Sequence, residues 1–240
     1  MARRRKSNGQ RRLLLAGVSA AVVMAGAIVT PQAFAATSGG SFLDRLRERR
    51  AAAADLSGCP DVELVFARGT GEPQGLGIVG RPLAQALAGE IPGRTVRSFA
   101  VVYAAASNQR SAGPGATNMT QRIEQVAQAC PDTQFVIGGY SQGASVTDIA
   151  IGIRNAGTAG EAIPAALRER VAAVVVYGNP LGLRRQTIAE AAPEFGPKAI
   201  EFCNNGDPVC GGGNNFTAHL AYARTGTVPD GAEFAAERLS

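Results

Sequence analysis

The sequence contains a single histidine, His219, among its 240 residues. Zinc sites are built from several cysteine and histidine ligands at short, characteristic spacings. The four cysteines here do not have such spacings, and one histidine cannot make up the set. The sequence therefore gives no reason to expect a metal, and any mechanism that needs an imidazole must use His219.

Acidic residues are absent from the first 35 positions, which hold six of the 24 basic residues. Without that segment the chain has 18 basic and 19 acidic side chains, a net charge of −1. The high isoelectric point thus belongs to the N-terminal segment. The rest of the chain offers no basic surplus for binding nucleic acid or an anionic membrane.

Residues 1–35 have the layout of a secretory signal peptide. A basic start is followed by uncharged residues from position 13 to 29 and by a cleavage pattern that ends at Ala35. An uncleaved membrane anchor is the alternative, because this apolar run is near the minimum length for a span. The pair Arg11-Arg12 leaves both the general and the twin-arginine export routes open. We expect a secreted protein, extracellular or associated with the cell envelope, without stable membrane insertion after cleavage.

Residues 36–58 form an N-terminal spacer and an Arg- and Ala-rich helical stretch. This stretch is either a terminal helix packed on the domain or a pro-segment, and the sequence does not decide between them. The domain proper is predicted at residues 59–240, long enough for one domain with a full hydrophobic core.

Four cysteines in an exported chain predict two disulfides, for which three pairings are possible. Cys203 and Cys210 are the near pair and would close a small loop, which leaves Cys59 with Cys130.

Strand-like and helix-like runs alternate along the domain, which predicts an α/β fold with a parallel sheet between two layers of helices. The strands read as continuous apolar runs, as expected when both faces of the sheet are covered. Strands are predicted at residues 62–67, 96–103, 134–137, 171–177 and 200–203, and helices at 81–87, 119–129, 142–154 and 232–239.

The segment Gly139-Tyr140-Ser141-Gln142-Gly143 is the most informative motif. An apolar strand leads into a glycine-flanked turn and then a helix, the pattern of a nucleophile elbow that holds a serine hydroxyl at the carboxyl edge of a parallel sheet. The alternative is a glycine-rich crossover in an ordinary doubly wound domain.

A serine needs an imidazole to remove its proton and a carboxylate to orient that imidazole. His219 follows Ser141 in the chain, and Asp207 lies between them, which is the order Ser, Asp, His of this architecture. Asp207 follows the last predicted strand, inside the loop that Cys203 and Cys210 would close. The alternatives are an incidental histidine and an aspartate that only forms a turn before Pro208.

The oxyanion of such a reaction needs two donors. One is expected from the backbone N–H of Gln142, directly after the serine, and the other from Thr70 in the loop after the first strand. A phosphate-binding loop is the competing interpretation of Gly69-Thr70-Gly71, but the third glycine of that motif is absent.

Three ordered segments together resemble the cutinase family of secreted serine esterases, in particular the cutinase-like proteins of actinobacteria. These are residues 65–72, residues 138–144, and the segment from Cys203 to His219. The resemblance implies a lidless α/β-hydrolase with a five-stranded sheet. It also implies roles for individual residues: Ser141 as nucleophile, Asp207 as acid, His219 as base, Thr70 and Gln142 as oxyanion hole, Asn108 as support for the Thr70 side chain, and disulfides Cys59–Cys130 and Cys203–Cys210.

The sequence therefore predicts a secreted, monomeric serine esterase that acts on short or medium acyl esters or on cutin or lipid esters, with no cofactor. Lipase, phospholipase or thioesterase activity on the same triad, peptidase activity, and a catalytically silent binding protein are the alternatives. Leu181, Leu183, Phe195 and Phe216 are expected either to line an apolar groove or to belong to the core.

Overall fold

A computed structural model describes residues 58–154 and 156–239 of the chain. Five strands and six α-helices follow one another in the order β1, α1, β2, α2, β3, α3, β4, α4, β5, α5, α6. The strands are β1 (Val62–Ala67), β2 (Val96–Ala100), β3 (Gln134–Tyr140), β4 (Val171–Tyr177) and β5 (Ala199–Phe202). The helices are α1 (Gly77–Glu90), α2 (Ala112–Ala129), α3 (Gln142–Ala150), α4 (Ile188–Ala191), α5 (Phe216–His219) and α6 (Thr227–Leu239).

All strand pairs are parallel, in the order β2-β1-β3-β4-β5. Residue Ala67 at the end of β1 pairs with Gly139 near the end of β3, and Tyr140 pairs with Tyr177 at the end of β4. The loops that follow these three strands therefore leave the sheet at one edge. The predicted three-layer α/β fold with a five-stranded parallel sheet is confirmed.

Alternate residues of each strand enter two separate cores. On one face, β1 residues such as Val65 pack with Met119 of α2 and Val146 of α3. On the other face, Val62, Leu64 and Phe66 of β1 pack with residues of α1 and α6. Because both faces of the central strands are covered, these strands are mostly apolar runs, most clearly β4, and such runs could be located from the sequence.

Several predicted boundaries are wrong, and backbone contacts explain the differences. Helix α2 begins at Ala112 rather than 119 and contains Gly113, where a Cβ would lie 2.0 Å from the Ala159 carbonyl oxygen. Helix α3 ends at Ala150 rather than 154, because Gly152 adopts a positive φ of 89°. Strand β2 ends at Ala100 rather than 103, because the Val102 N–H donates to Asn118 Oδ1 instead of the sheet.

Strands β1 and β4 have the predicted bounds, whereas the remaining predicted elements differ from prediction at one or both ends. Helices α1 and α6 begin earlier, at Gly77 and Thr227, β3 continues to Tyr140, and β5 is Ala199–Phe202. Glycines and prolines at these ends weaken local propensity, while packing keeps them within the elements.

The described chain contains two disulfides, one between distant segments and one within a single loop. Cys59–Cys130 joins the start of β1 to the end of α2, and Cys203–Cys210 closes the loop after β5. These are the pairs that the resemblance implied. The predicted signal peptide at residues 1–35, and all but the last residue of the predicted 36–58 segment, lie outside the described residues. Among the described helices, none combines the length and apolar character needed to cross a bilayer.

A buried polar network ties α3 to the strands beside it. The Asn179 side-chain amide donates to Asp148 Oδ1 and to Glu201 Oε1, both at 3.1 Å. Glu201 Oε2 accepts the Ile188 N–H at 2.7 Å. Burial raises the pKa of Asp148 well above its usual range, although the hydrogen bond from Asn179 opposes the shift, and burial also raises the pKa of Glu201. The surroundings of Asp148, on the helix that follows Ser141, therefore oppose its ionisation.

Replacing Asp148 by Asn should stabilise the fold at alkaline pH. A group whose pKa is raised on folding stabilises the fold in acid and loses that contribution as the pH rises through its folded-state pKa. Asparagine keeps the acceptor for Asn179 but cannot ionise. The Tm of Asp148→Asn should match that of the parent near pH 4.5 and exceed it near pH 8.5, by roughly 2–4 °C for each 1 kcal/mol relieved.

The exposed Asp132→Asn serves as the control and should leave the pH dependence of Tm unchanged. Equal Tm differences at both pH values for Asp148→Asn would contradict this account of the network.

Candidate active site

Ser141 occupies a strained turn between β3 and α3. Its φ of 57° and ψ of −118° lie outside the regions that residues with side chains prefer, a strain that clusters at functional sites. Its N–H donates to the Tyr177 carbonyl at 2.9 Å, which ties the turn to β4. A Cβ on Gly143 would lie 1.9 Å from the Ala67 carbonyl oxygen, so only glycine permits this approach of α3 to β1. The turn presents a partly exposed hydroxyl at the carboxyl edge of the sheet.

Asp207 and His219 are in direct contact. His219 Nδ1 lies 2.8 Å from Asp207 Oδ2, and both side chains are almost completely buried. The Val209 N–H donates to Asp207 Oδ1 at 2.7 Å, within the loop that the Cys203–Cys210 disulfide closes. An ionised carboxylate here accepts from Nδ1–H, which leaves the lone pair of the imidazole on Nε2.

Aromatic side chains hold the imidazole in place. Tyr140 donates its hydroxyl to the His219 carbonyl at 2.8 Å, and its ring centroid lies 5.0 Å from that of His219. The Phe216 ring, one turn earlier on α5, lies 5.3 Å from the imidazole. Little freedom remains for the ring to turn away from Asp207.

The serine and the imidazole lie near the same corner of the sheet. A Cβ on Gly178 would lie 2.8 Å from His219 Cε1, so the ring covers the residue that follows Tyr177. Tyr177 is also the acceptor for the Ser141 N–H. Ser141, Asp207 and His219, predicted from three separate segments, therefore lie around the ends of β3, β4 and β5.

Two backbone N–H groups at this corner are available to a ligand. Gln142 is the first residue of α3, so its N–H has no acceptor within the helix. In the loop after β1, Gly69 donates to the Glu72 side chain and Gly71 to the Ala105 carbonyl. Among residues 58–154 and 156–239, nothing accepts the Thr70 N–H. These are the two residues predicted to supply oxyanion donors.

The sequence of this chain is strongly similar to those of known proteins. The sequence profile of the cutinase family matches residues 58–239. The chain belongs to the cutinase family. It is 58% identical over 180 residues to a cutinase of Kineococcus radiotolerans, covering 74% of this chain and 61% of that protein. It is 42% identical over 186 residues to the probable carboxylesterase Culp3 of Mycobacterium tuberculosis, covering 76% of this chain and 70% of the relative.

A solved structure agrees with the fold. The cutinase of Trichoderma reesei, in complex with a phosphonate inhibitor, matches with a TM-score of 0.62 and 30% identity. The match covers 82% of this chain and 88% of that one. Cutinases and carboxylesterases cleave carboxylic esters, and the matched domain is a carboxylic ester hydrolase of the α/β-hydrolase fold.

The support for Thr70 differs from what the cutinase resemblance implied. Asn108 uses its side chain to accept the Arg110 N–H at 3.0 Å. The neighbouring Gln109 donates to Thr70 Oγ1 at 3.1 Å. Gln109 has a positive φ of 61°, which no sequence pattern foreshadowed. Because Gln109 supplies a hydrogen to Oγ1, the Thr70 hydroxyl can direct its own hydrogen toward a ligand.

The Gln142 side chain has a structural role in this cutinase-family site. Its Nε2 donates to the Ala106 carbonyl at 2.8 Å, and its Oε1 accepts from the Ser111 hydroxyl at 3.0 Å. These contacts fix the segment that carries Gln109 to the first turn of α3. The two predicted oxyanion donors are therefore held relative to each other through one connecting loop.

The four predicted apolar residues divide between the core and the surface. Leu181 and Phe195 are buried, whereas Leu183 and Phe216 are 53% and 57% exposed. Leu220, next to His219, is 45% exposed. The exposed Phe216 ring therefore offers apolar surface beside the imidazole, and Leu220 adds exposed apolar area one helical turn further along the chain.

Sequence reasoning missed Tyr222. Its hydroxyl donates to Asp207 Oδ2 at 2.5 Å, the same oxygen that faces His219, and its ring is fully buried. Burial and the Asp207 carboxylate raise the pKa of Tyr222, so the phenol stays protonated as a donor. Its position three residues after His219, which brings side chains together in helical turns, was the available signal.

The variant Tyr222→Phe should change catalysis without disturbing packing. It removes one of the donors on Asp207 Oδ2 but keeps the ring. Because it then accepts one hydrogen bond fewer, the Asp207 carboxylate stabilises the protonated form of the His219 imidazole more strongly. We expect kcat for p-nitrophenyl butyrate to fall about tenfold, and the acidic limb of the pH profile of kcat/KM to move to higher pH.

The control is Tyr177→Phe. Tyr177 packs against Tyr222 with ring centroids 5.8 Å apart and donates to Thr227 rather than to Asp207. This variant should keep the parent pH profile. The same pH profile in Tyr222→Phe and the parent would show that the phenol does not act on Asp207.

Proposed function

We propose that this protein is a secreted serine esterase that uses Ser141, His219 and Asp207 as its catalytic triad. The observation that carries the proposal is the contact between the single histidine and the buried Asp207, at the sheet corner where the strained turn presents Ser141. The family assignment supplies the reaction class, ester hydrolysis, and the geometry supports these residues as its agents.

The reaction proceeds through an acyl-enzyme. His219 Nε2 takes the Ser141 proton as Oγ bonds to the ester carbonyl carbon, and the carbonyl oxygen becomes an oxyanion. Collapse breaks the bond to the alkoxy oxygen, which leaves as alcohol with the proton from His219. Water then gives a proton to His219 and attacks the acyl group, and the carboxylic acid is released as Ser141 recovers its proton.

The oxyanion is stabilised by the N–H groups of Gln142 and Thr70. Within the described chain, neither N–H donates to a backbone carbonyl. The Thr70 hydroxyl, oriented by Gln109, adds a third donor. Donors fixed before the reaction need no reorganisation as charge develops, so they lower the barrier most effectively.

Apolar surface around the site supports esters of apolar acids as substrates. The exposed large hydrophobic residues of the described chain all follow the carboxyl ends of strands, the edge that carries Ser141; they are Ile78, Val102, Leu183, Phe216 and Leu220. Phe216 lies beside the imidazole, and Leu220 follows Phe216 by one helical turn. A short or medium acyl chain, or the surface of an aggregated lipid ester, can be accommodated against them.

Secretion is supported by the two disulfides, since such bonds persist in oxidising compartments. We infer that the N-terminal signal peptide directs export and that the mature chain acts as a monomer outside the cytoplasm.

Replacing any triad residue should abolish turnover. We expect Ser141→Ala and His219→Ala each to lower kcat by about 10⁶-fold and Asp207→Ala by somewhat less. Initial rates with p-nitrophenyl butyrate measure the loss. The exposed Ser107, outside the proposed machinery, provides a Ser107→Ala control with parent activity. Near-parental turnover by a triad variant would refute the assignment of that residue.

The substrate class is tested with p-nitrophenyl esters from two to sixteen carbons. Phe216→Ala and Leu220→Ala should lower kcat/KM for the longer chains more than for the acetyl ester, because each removes apolar contact area. Equal effects on all chain lengths would exclude acyl binding at this surface. Faster turnover of a matched thioester or peptide would indicate a thioesterase or a peptidase, and no turnover of any substrate would indicate a binding protein.

A further inference from the structure

Glu72 connects the loop that carries Thr70 to the first turn of α1. Its Oε2 accepts the Gly69 N–H at 2.5 Å, and its Oε1 accepts the Ile78 N–H at 2.7 Å. Thr70 lies between the loop residues that this one side chain joins. Both carboxylate oxygens are engaged by backbone donors, and the N-terminal end of α1 favours a negative charge there.

The carboxylate has little room to move. A Cβ on Gly77 would lie 2.4 Å from Glu72 Oε2, so the helix backbone closes over the side chain. The main chain of Glu72 is held as well, because Arg68 Nε donates to its carbonyl at 2.8 Å. Arg68 in turn donates to the Tyr103 carbonyl at 2.8 Å.

These contacts determine which amide of the loop can face a substrate. The Glu72 side chain takes the Gly69 N–H, and the Ala105 carbonyl takes the Gly71 N–H. The Thr70 N–H is thereby separated from its neighbours and left for the oxyanion. An oxyanion donor must lie about 2.7–3.1 Å from the developing charge, and a misplacement of about 1 Å can cost on the order of 100-fold in rate.

We propose that Glu72 is a positioning residue of the oxyanion hole, whose carboxylate holds the Thr70 N–H and hydroxyl at the place where negative charge develops. The inference rests on the proposed roles of Ser141 and Thr70. Glu72 does not touch the substrate; it acts by fixing the loop. Its loss should therefore weaken binding of the transition state and leave binding of the ester almost unchanged.

The principal variant is Glu72→Gln, which has the same length but places an NH₂ group against one of the two N–H donors. We expect kcat for p-nitrophenyl butyrate to fall about 10- to 100-fold, with KM within about threefold of the parent. Rates are expressed per active site, counted by complete reaction with diethyl p-nitrophenyl phosphate, so that unfolded protein does not contribute. Glu90→Gln, an exposed site at the other end of α1, is the matched control.

A second readout separates positioning from general stability. A trifluoromethyl ketone with a butyl chain forms a tetrahedral adduct with an oxyanion, whereas the corresponding alcohol binds only as a ground-state ligand. Glu72→Gln should weaken inhibition by the ketone by about the same factor as kcat/KM, and should leave inhibition by the alcohol unchanged. Glu72→Asp keeps the charge but is too short to reach both donors, so it should lose activity in the same way and carries the test if Glu72→Gln does not fold.

Parental kcat per active site in Glu72→Gln or Glu72→Asp would overturn the inference, and so would an equal loss of affinity for the ketone and the alcohol. Ser141→Ala is measured in parallel. If Ser141→Ala is inactive while Glu72→Gln is fully active, only the role of Glu72 fails. If Ser141→Ala retains turnover, the proposed function itself fails.

Discussion

A carboxylate that is completely removed from water must be surrounded by hydrogen-bond donors. Asp207 is such a carboxylate, and residues in the last third of the domain supply its donors. Its donors come from the Val209 backbone, the His219 ring and the Tyr222 hydroxyl. The loop closed by Cys203–Cys210 brings the first, and the chain through α5 brings the other two. Residues 203–222 are therefore organised around one charge, and the position of the imidazole follows from satisfying it.

The other half of the site depends on rigid backbone rather than on charge alone. The turn at Ser141 is anchored to β4, and the Gln142 side chain anchors the 105–111 segment, from which Gln109 reaches Thr70. Glu72 fixes the same loop from the side of α1. Three loops from the carboxyl edge of the sheet are thus tied to one another around the space for an oxyanion. This arrangement explains how the described part of the domain keeps the predicted oxyanion donors in fixed positions.

The sequence predicted the features that depend on a local pattern or on a residue type that occurs only once. The central strands are mostly apolar runs, the Gly-x-Ser-x-Gly motif stands between a strand-like and a helix-like run, and His219 had no competitor as the base. The chain order then selected Asp207 from among the carboxylates. The strands and the turn needed only local patterns, whereas the choice of Asp207 also used the order of three segments along the chain.

What could not be predicted depends on contacts between segments. The first turn of α2 contains glycines that only close packing against residue 159 explains. The choice of Gln109 over Asn108 as the partner of Thr70 follows from a left-handed backbone conformation that glutamine rarely adopts. Tyr222 lies at a suggestive spacing from His219, but its hydroxyl reaches Asp207 only because the two loops fold together.

The most direct test of the account is to react the protein with diethyl p-nitrophenyl phosphate and to locate the label by mass spectrometry. The account predicts one diethyl phosphoryl group for each chain, on Ser141, with a rate at least about 10³-fold lower in His219→Ala, because the hydroxyl then lacks its base. Labelling at another residue, or equal rates with and without His219, would contradict an activated Ser141 at the centre of this site.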